Sequence, residues 1–310
     1  MIRKHTRRAA KAAFAISLGV AIVIGLFAAT ARPAATAPKT PVVLGTKNFP
    51  EEFILGQLYK QALEEKGFVV EYKENIGSTE IIDTALTSGK INFYPEYTGV
   101  IVQVVFGKPL SASTAAATWT LAKQLEEKRG FTLFAPTPFQ DKDAIAVLRT
   151  TKAKYKLRTL FDLKKIPKLK LAALPEFRTR NTGLVGLRRN YKITKVTFVP
   201  LAGISPYQAL TSKKVQAAAV FSTDPVLGPT SKFVLLADPK HQFGFQQVAP
   251  VVSQKLVDAL GPQFQPAVDA VTAKLTQNAI IAMNKAVIID KKSAADVAHA
   301  FLLANGLVKK

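Results

Sequence analysis

Ile91-Asn92-Phe93-Tyr94-Pro95-Glu96-Tyr97-Thr98-Gly99-Val100 is the stretch on which the reading of this chain turns. Its apolar start reads as a short buried strand that runs into a Pro-marked turn, and Val100, Ile101, Val104 and Val105 then recur at helical spacing. In open α/β sheets ligands bind at the carboxyl ends of strands, and the unpaired N–H groups that open a helix favour a carboxylate there. Tyr97 is therefore expected where a small ligand sits.

Working outward, the same alternation repeats. Residues 42–45 read as a strand, and Asn48-Phe49-Pro50-Glu51 reads as a helix start with an Asn cap and Pro in the first turn. Ile54, Leu58 and Ala62 mark the buried face of that helix. A second strand is expected at 68–72, and Gly77-Ser78-Thr79 opens a helix carrying Ile81, Ile82, Ala85 and Leu86 that Gly89 stops. Strand and helix in alternation argue a mostly parallel sheet. A second series follows, with strands at 144–148, 169–173, 196–199 and 216–221, and Pro250-Val251-Val252 returns the chain to the first sheet. The tail is helical, entered by the capping box Ser293 to Asp296 and closed by Asn305-Gly306. The expected organisation is a signal at 1–31, a flexible lead-in at 32–41, one lobe from 42–141 with 247–310, and a second lobe from 142–246.

The 310 residues are 48% hydrophobic, enough for two cored lobes, and contain no cysteine, so disulfides, thiolate metal sites and a lipid-bearing cysteine are excluded. Net charge is +22, of which +17 remains when the five basic residues of the first eleven positions are set aside. Without Arg-aromatic interleaving this reads as a solvated Lys-rich surface, and no nucleic-acid partner is expected. Residues 1–11 are basic, 12–31 carry no charge, and Ala29-Thr30-Ala31 offers a cleavage site, so export by a cleaved secretory signal to a periplasmic or extracytoplasmic location is expected. An uncleaved anchor is the competing reading, since about 20 apolar residues can span a bilayer. His5, His241 and His299 are isolated, and no phosphate loop, nucleophile elbow or zinc motif occurs. No enzyme, metal or cofactor is expected.

Tyr94-Pro95-Glu96-Tyr97-Thr98-Gly99 after an apolar strand resembles the signature of substrate-binding proteins from osmoprotectant ABC importers, which take up glycine betaine, choline and carnitine. Gly45-Thr46-Lys47-Asn48-Phe49, Phe221-Ser222-Thr223-Asp224, Ala249-Pro250-Val251-Val252 and the closing 301–307 resemble it too, in the same order. The resemblance implies a two-lobed α/β periplasmic-binding-protein fold with the ligand in a cleft between lobes. It also implies a monomeric receptor for a small zwitterionic or cationic solute, partnered by an ABC permease. It assigns Lys47 and Arg180 to the ligand's carboxylate, with Asn48 beside Lys47. It places an aromatic cage at Tyr97, Asp143, Phe221 and Gln246, so two of four rings are kept. Two missing rings at ~0.5–2 kcal/mol each cost roughly 1–4 kcal/mol, about five-fold to a thousand-fold in affinity. Phe139, Phe243 and Phe245 lie near the eroded positions. Asp141 and Asp143 offer charge-assisted hydrogen bonds to a cation that carries N–H groups, which a trimethylammonium lacks. Thr223 and Asp224 either touch ligand or cap the following helix. The alternatives are a basic secreted module that binds an anionic surface or polymer, and a relative whose ligand is an amine- or imidazole-containing zwitterion.

Overall fold

The computed structural model describes residues 40–109, 114–201 and 204–309. The expected signal and all but the end of the lead-in lie outside the described residues. Strand β1 (Val42–Lys47) enters helix α1 (Pro50–Glu65), followed by β2 (Val70–Gly77), α2 (Thr79–Thr87) and β3 (Phe93–Tyr97). Helix α3 (Thr98–Val100) continues as a π-turn at Ile101–Val105, then come α4 (Ala115–Glu127) and β4 (Phe131–Leu133). The chain crosses to β5 (Asp143–Leu148), α5 (Arg149–Tyr155), a 3-10 turn (Leu160–Lys165), β6 (Leu169–Ala173) and a second 3-10 turn (Pro175–Arg178). After α6 (Leu184–Tyr191), β7 (Val196–Pro200), α7 (Pro206–Thr211), β8 (Ala217–Phe221) and β9 (Phe233–Leu235) it returns through β10 (Val248–Ser253). Helices α8 (Gln254–Leu260), α9 (Phe264–Thr272), α10 (Gln277–Ile288) and α11 (Ala294–Ala304) complete it.

The strands form two five-stranded sheets of one design, β2-β1-β3-β10-β4 and β7-β6-β8-β5-β9. In each, the strand that arrives by crossing from the other sheet is inserted antiparallel: β10 against β3 and β4, β5 against β8 and β9. The expectation of mostly parallel sheets is corrected accordingly, because half the pairings in each sheet are antiparallel. Alternation of strands and helices reports the parallel pairs and is silent on where a returning strand inserts.

Three local expectations also change. Pro95 lies inside β3 opposite Pro250, not in a turn after it. Pairing of β3 with β1 is confined to Phe93 and Leu44, so the missing proline N–H leaves no partner unsatisfied on that side. The N-cap of α1 is Phe49, in extended conformation, and Asn48 makes no cap. The first-turn carboxylate of Glu52 instead accepts the Lys47 N–H at 3.2 Å. Strand β2 begins at Val70, two residues later than its apolar pattern implies.

Helix α1 buries Ile54, Leu55, Leu58, Tyr59 and Leu63 completely against the first sheet, α9 and α11. Each such side chain contributes about 1.5–3 kcal/mol. On the second sheet, Leu160, Leu163, Phe177, Leu187 and Tyr191 cover one face, and α7 with Ala209 and Leu210 covers the other. The two crossings run side by side, with Asp141 N–H donating to Gln246 O at 3.0 Å and Gln140 bridging Gln247. The carboxyl ends of β1, β3 and β8 thereby meet around one space.

Candidate functional site

A cavity of about 580 Å³ lies there, in the size range of small-molecule sites. Lys47, Asn48, Tyr97, Asp141, Asp143, Arg180, Phe221, Asp224 and Gln246 line it. Thr223 does not. It is buried and reaches away, its hydroxyl donating to Glu51 at 2.6 Å and its N–H to Asp141 at 3.0 Å. Phe139 and Phe243 are buried in the cores, Phe245 packs beside Lys142, and none of the three lines the cavity.

A further ring that does is Phe49, which sequence reading placed in a helix start and in the word 45–49 but not in the cage. It stacks on Phe221 at 5.1 Å between centroids and on Tyr97 at 6.2 Å. The three rings form a continuous stack joining the two sheets. Its faces are partly spent, because the Lys47 ammonium sits 4.3 Å from the Tyr97 centroid and 5.5 Å from that of Phe49. Lys47 is 4% exposed and paired with Glu96, with Glu52 at 3.8 Å. Lys47 lines the cavity, and its ammonium is paired there with buried carboxylates of its own chain. The signal lay in Glu96, one residue before Tyr97 on the neighbouring strand.

Behind the rings is a buried acid cluster. Glu51 accepts from Tyr97 Oη at 2.7 Å, Thr223 Oγ1 at 2.6 Å and Asn284 Nδ2 at 2.7 Å, tying α1, β3, α10 and the turn after β8 together. Burial nonetheless raises its pKa. Burial pushes Glu52 up to about 8, against the pull of Lys47. Asp141 is raised well above its ordinary value by burial and then by the Glu51 charge.

The opposite wall holds Asp143 and Glu176, whose carboxylates have no hydrogen bond or ion pair among the described residues. Desolvation brings Asp143 to about 6, opposed by Arg180 and Lys47. Arg180 makes the bidentate grip its residue type favours, but on Glu80 of α2, at 2.9 and 2.8 Å. Asp224 accepts from Tyr207 Oη at 2.6 Å and Phe221 N–H at 3.2 Å, so it closes a turn while lining the cavity. Gln246 spans the crossing, accepting from Val100 N–H at 3.0 Å and donating to Phe243 O at 2.9 Å. Sequence reading missed Glu176, a glutamate in a short 3-10 turn that carries no motif. Among the described residues, the cavity's polar side chains without a hydrogen bond or ion pair are the Asp143 and Glu176 carboxylates, the Asn48 amide and the Lys291 ammonium, and the committed ones include both cations named beforehand.

Residues 40–304 match the family model for the substrate-binding domain of ABC-type glycine betaine transport systems. The chain belongs to that family. The glycine betaine-binding protein YehZ of Escherichia coli is 28% identical over 291 residues, covering 87% of this chain and 92% of YehZ. A glycine-betaine-binding protein of Pseudomonas aeruginosa is 28% identical over 296 residues, 92% of both chains. A crystal structure of a glycine betaine/carnitine/choline ABC transporter protein superposes with a TM-score of 0.68 at 23% identity, covering 86% of this chain and 99% of the other. The last of these concerns the fold, which is the two-lobed periplasmic-binding-protein architecture. Members of this substrate-binding family are solute receptors of transporters rather than enzymes. No helix among the described residues is long and apolar enough to cross a membrane.

Proposed function

We propose that this substrate-binding protein is an exported, monomeric receptor that captures a small zwitterion or cation of the glycine betaine and carnitine class and delivers it to an ABC permease. Membership of the family over residues 40–304 carries the reading. The cavity between the sheets, with rings on one wall and two uncommitted carboxylates on the other, supports it. In this account residues 42–141 and 247–310 close against 142–246 about the paired crossings. The signal is cleaved near Arg32, which intact-mass measurement on material from the native host tests.

Within the cavity the solute's cation lies against Phe221 and the Asp143 and Glu176 carboxylates. Its carboxylate takes the Arg180 guanidinium in place of Glu80, one carboxylate exchanged for another on a bidentate donor. The Lys47 ammonium already holds the Tyr97 and Phe49 faces, so a trimethylammonium finds little free ring and no acceptor it can hydrogen-bond. A cation with N–H donors gains from Asp143. Glycine betaine is therefore expected to bind in the tens of micromolar to millimolar range.

A thermal-shift screen of betaines, choline, carnitine, ergothioneine and amino acids tests the receptor reading. A ligand that binds only the native state at 100 times its Kd adds about 2.7 kcal/mol. A reproducible rise in Tm with one of these solutes supports the account. No rise with any of them at millimolar concentration contradicts it.

A further inference from the structure

The chain's positive charge is not spread over the molecule. Residues 142–246 contain 20 Lys and Arg and 5 Asp and Glu, a net of +15, whereas 42–141 with 247–310 contain 16 of each and are neutral. Within the second sheet's segment the excess is further concentrated, since residues 152–195 hold 14 bases and 2 acids. Those residues build the layer of α6 and the two 3-10 turns that covers one face of the sheet. Twelve of the 14 bases are exposed, and among the described residues only Lys165 of these twelve is ion-paired, to Asp162 at 2.7 Å. A solvated charged surface ordinarily interleaves both signs; this one does not.

The bases converge on one spot. Lys164 and Lys240 both lie 5.8 Å from the ring centroid of half-buried Phe161, which packs edge-on against Tyr191 at 4.6 Å. Lys165 Nζ donates to Lys156 O at 3.4 Å, and Lys192 follows Tyr191 directly. Lys156 and Lys192 end α5 and α6 in the left-handed region, at φ of 51° and 56°. Glycine is the favoured residue at such helix ends, and a side chain there is strained. The lysine charge eases the strain only by the few tenths of a kcal/mol that a cation gains at a helix carboxyl end. Lys213 and Lys291 stand in the same region elsewhere, so Lys156 and Lys192 add charge to the layer without marking it out by their backbone.

We propose that this helical layer of the second sheet is a docking surface for the anionic phospholipid headgroups of the membrane that holds the permease. The chemistry favours lipid over nucleic acid. Eight of the twelve exposed bases are lysine, which meets phosphates as a hydrated point charge, and the only ring at the centre lies edge-on in its packing, with no stacking platform. On the proposed export reading, the leading segments 1–11 and 12–31 carry the chain across that membrane and release it beside the lipid surface. A receptor held near the bilayer searches for its permease over a surface rather than through a volume. The second 3-10 turn also lines the cleft, but Lys156, Lys164, Lys168 and Lys192 do not, so substitutions at those four separate membrane docking from cargo binding.

The test is flotation of the exported chain, residues 32–310, with vesicles of phosphatidylcholine alone or with 30% phosphatidylglycerol. Every described residue, from Thr40 onward, is present in that chain. The expected result is binding to the phosphatidylglycerol vesicles at about 0.1 M salt, none to phosphatidylcholine, and release at high salt as the Debye length shrinks to about 3 Å at 1 M. Replacing Lys156, Lys164, Lys168 and Lys192 together by Gln lowers partitioning roughly five-fold per lysine, several hundred-fold in all. The matched set Lys66→Gln, Lys90→Gln, Lys128→Gln and Lys255→Gln, exposed bases of the neutral part, leaves it nearly unchanged. Circular dichroism verifies that both variants are folded. Equal loss in the two variants, or binding to heparin or DNA with none to vesicles, overturns the proposal.

Discussion

Asp143 is the residue on which selectivity turns. Burial pushes its carboxyl up to about 6, and a bound ammonium stabilises only the ionised form. Affinity for an N–H-bearing cation should therefore fall as pH drops below about 6, approaching ten-fold per pH unit. Calorimetry at pH 7.5, 6 and 5 measures this, and Asp143→Asn should abolish both the dependence and at least a ten-fold share of affinity. Glu52 makes the complementary statement about stability. Its folded pKa of about 8 lies above the ordinary 4.5, so between those values the native state holds a proton that the unfolded chain has released. That contribution is complete below 4.5 and is lost as pH rises through 8, at up to about 1.4 kcal/mol per unit. Glu52→Gln, which mimics the protonated acid, should flatten the fall in urea-unfolding stability between pH 5.5 and 8. An unchanged slope would mean that Glu52 is ionised in the native state. None of this was legible in Lys47 or Glu52 taken singly, because their states are set by mutual burial of residues brought together from β1, α1 and β3.

At the scale of elements, the corner from β3 into α3 and the crossing beside it hold the two halves of the cavity in register. Gly99 is there because a Cβ would stand 2.6 Å from both Phe245 O and Gln246 Nε2. Gly99→Ala must push the returning crossing away, costing about 1–3 kcal/mol by overpacking and breaking the Gln246 bond to Val100. Gly228→Ala, with open space at its Cβ, should be neutral by comparison. Denaturation midpoints of the two variants distinguish a packed crossing from a loose one. Most of the elements were legible in sequence, since Ile54, Leu58 and Ala62 at helical spacing are buried as the pattern requires. What was not legible was Pro95 within a strand and Phe49 as a helix cap. Both depend on what the neighbouring strand offers: a partner needing no N–H, and an aromatic stack that holds Phe49 in extended backbone.

For the whole molecule, two sheets of identical strand order put the ends of their strands against one cavity, and the bonds across it are few and polar. Arg180 to Glu80 and Thr223 to Glu51 join residues of the second sheet's segment to the first, alongside the Phe49–Phe221 stack. Small-angle scattering should show a smaller radius of gyration with solute than without, as hinge closure requires. Arg180→Ala should diminish that change, whereas Glu80→Ala, which removes a bond that joins the halves only until the solute displaces it, should not. The family was legible because its words recur in order along the chain. The ligand was not, because residue identity at a cage position does not say whether a ring face is free. The most direct measurement is a calorimetric titration of glycine betaine, dimethylglycine, sarcosine and glycine against the same preparation. These solutes share one carboxylate and differ only in how many N–H donors replace methyl groups. The account predicts that affinity rises as methyl groups are removed, with glycine betaine no tighter than tens of micromolar. Glycine betaine bound tightest of the four and below about a micromolar would contradict it.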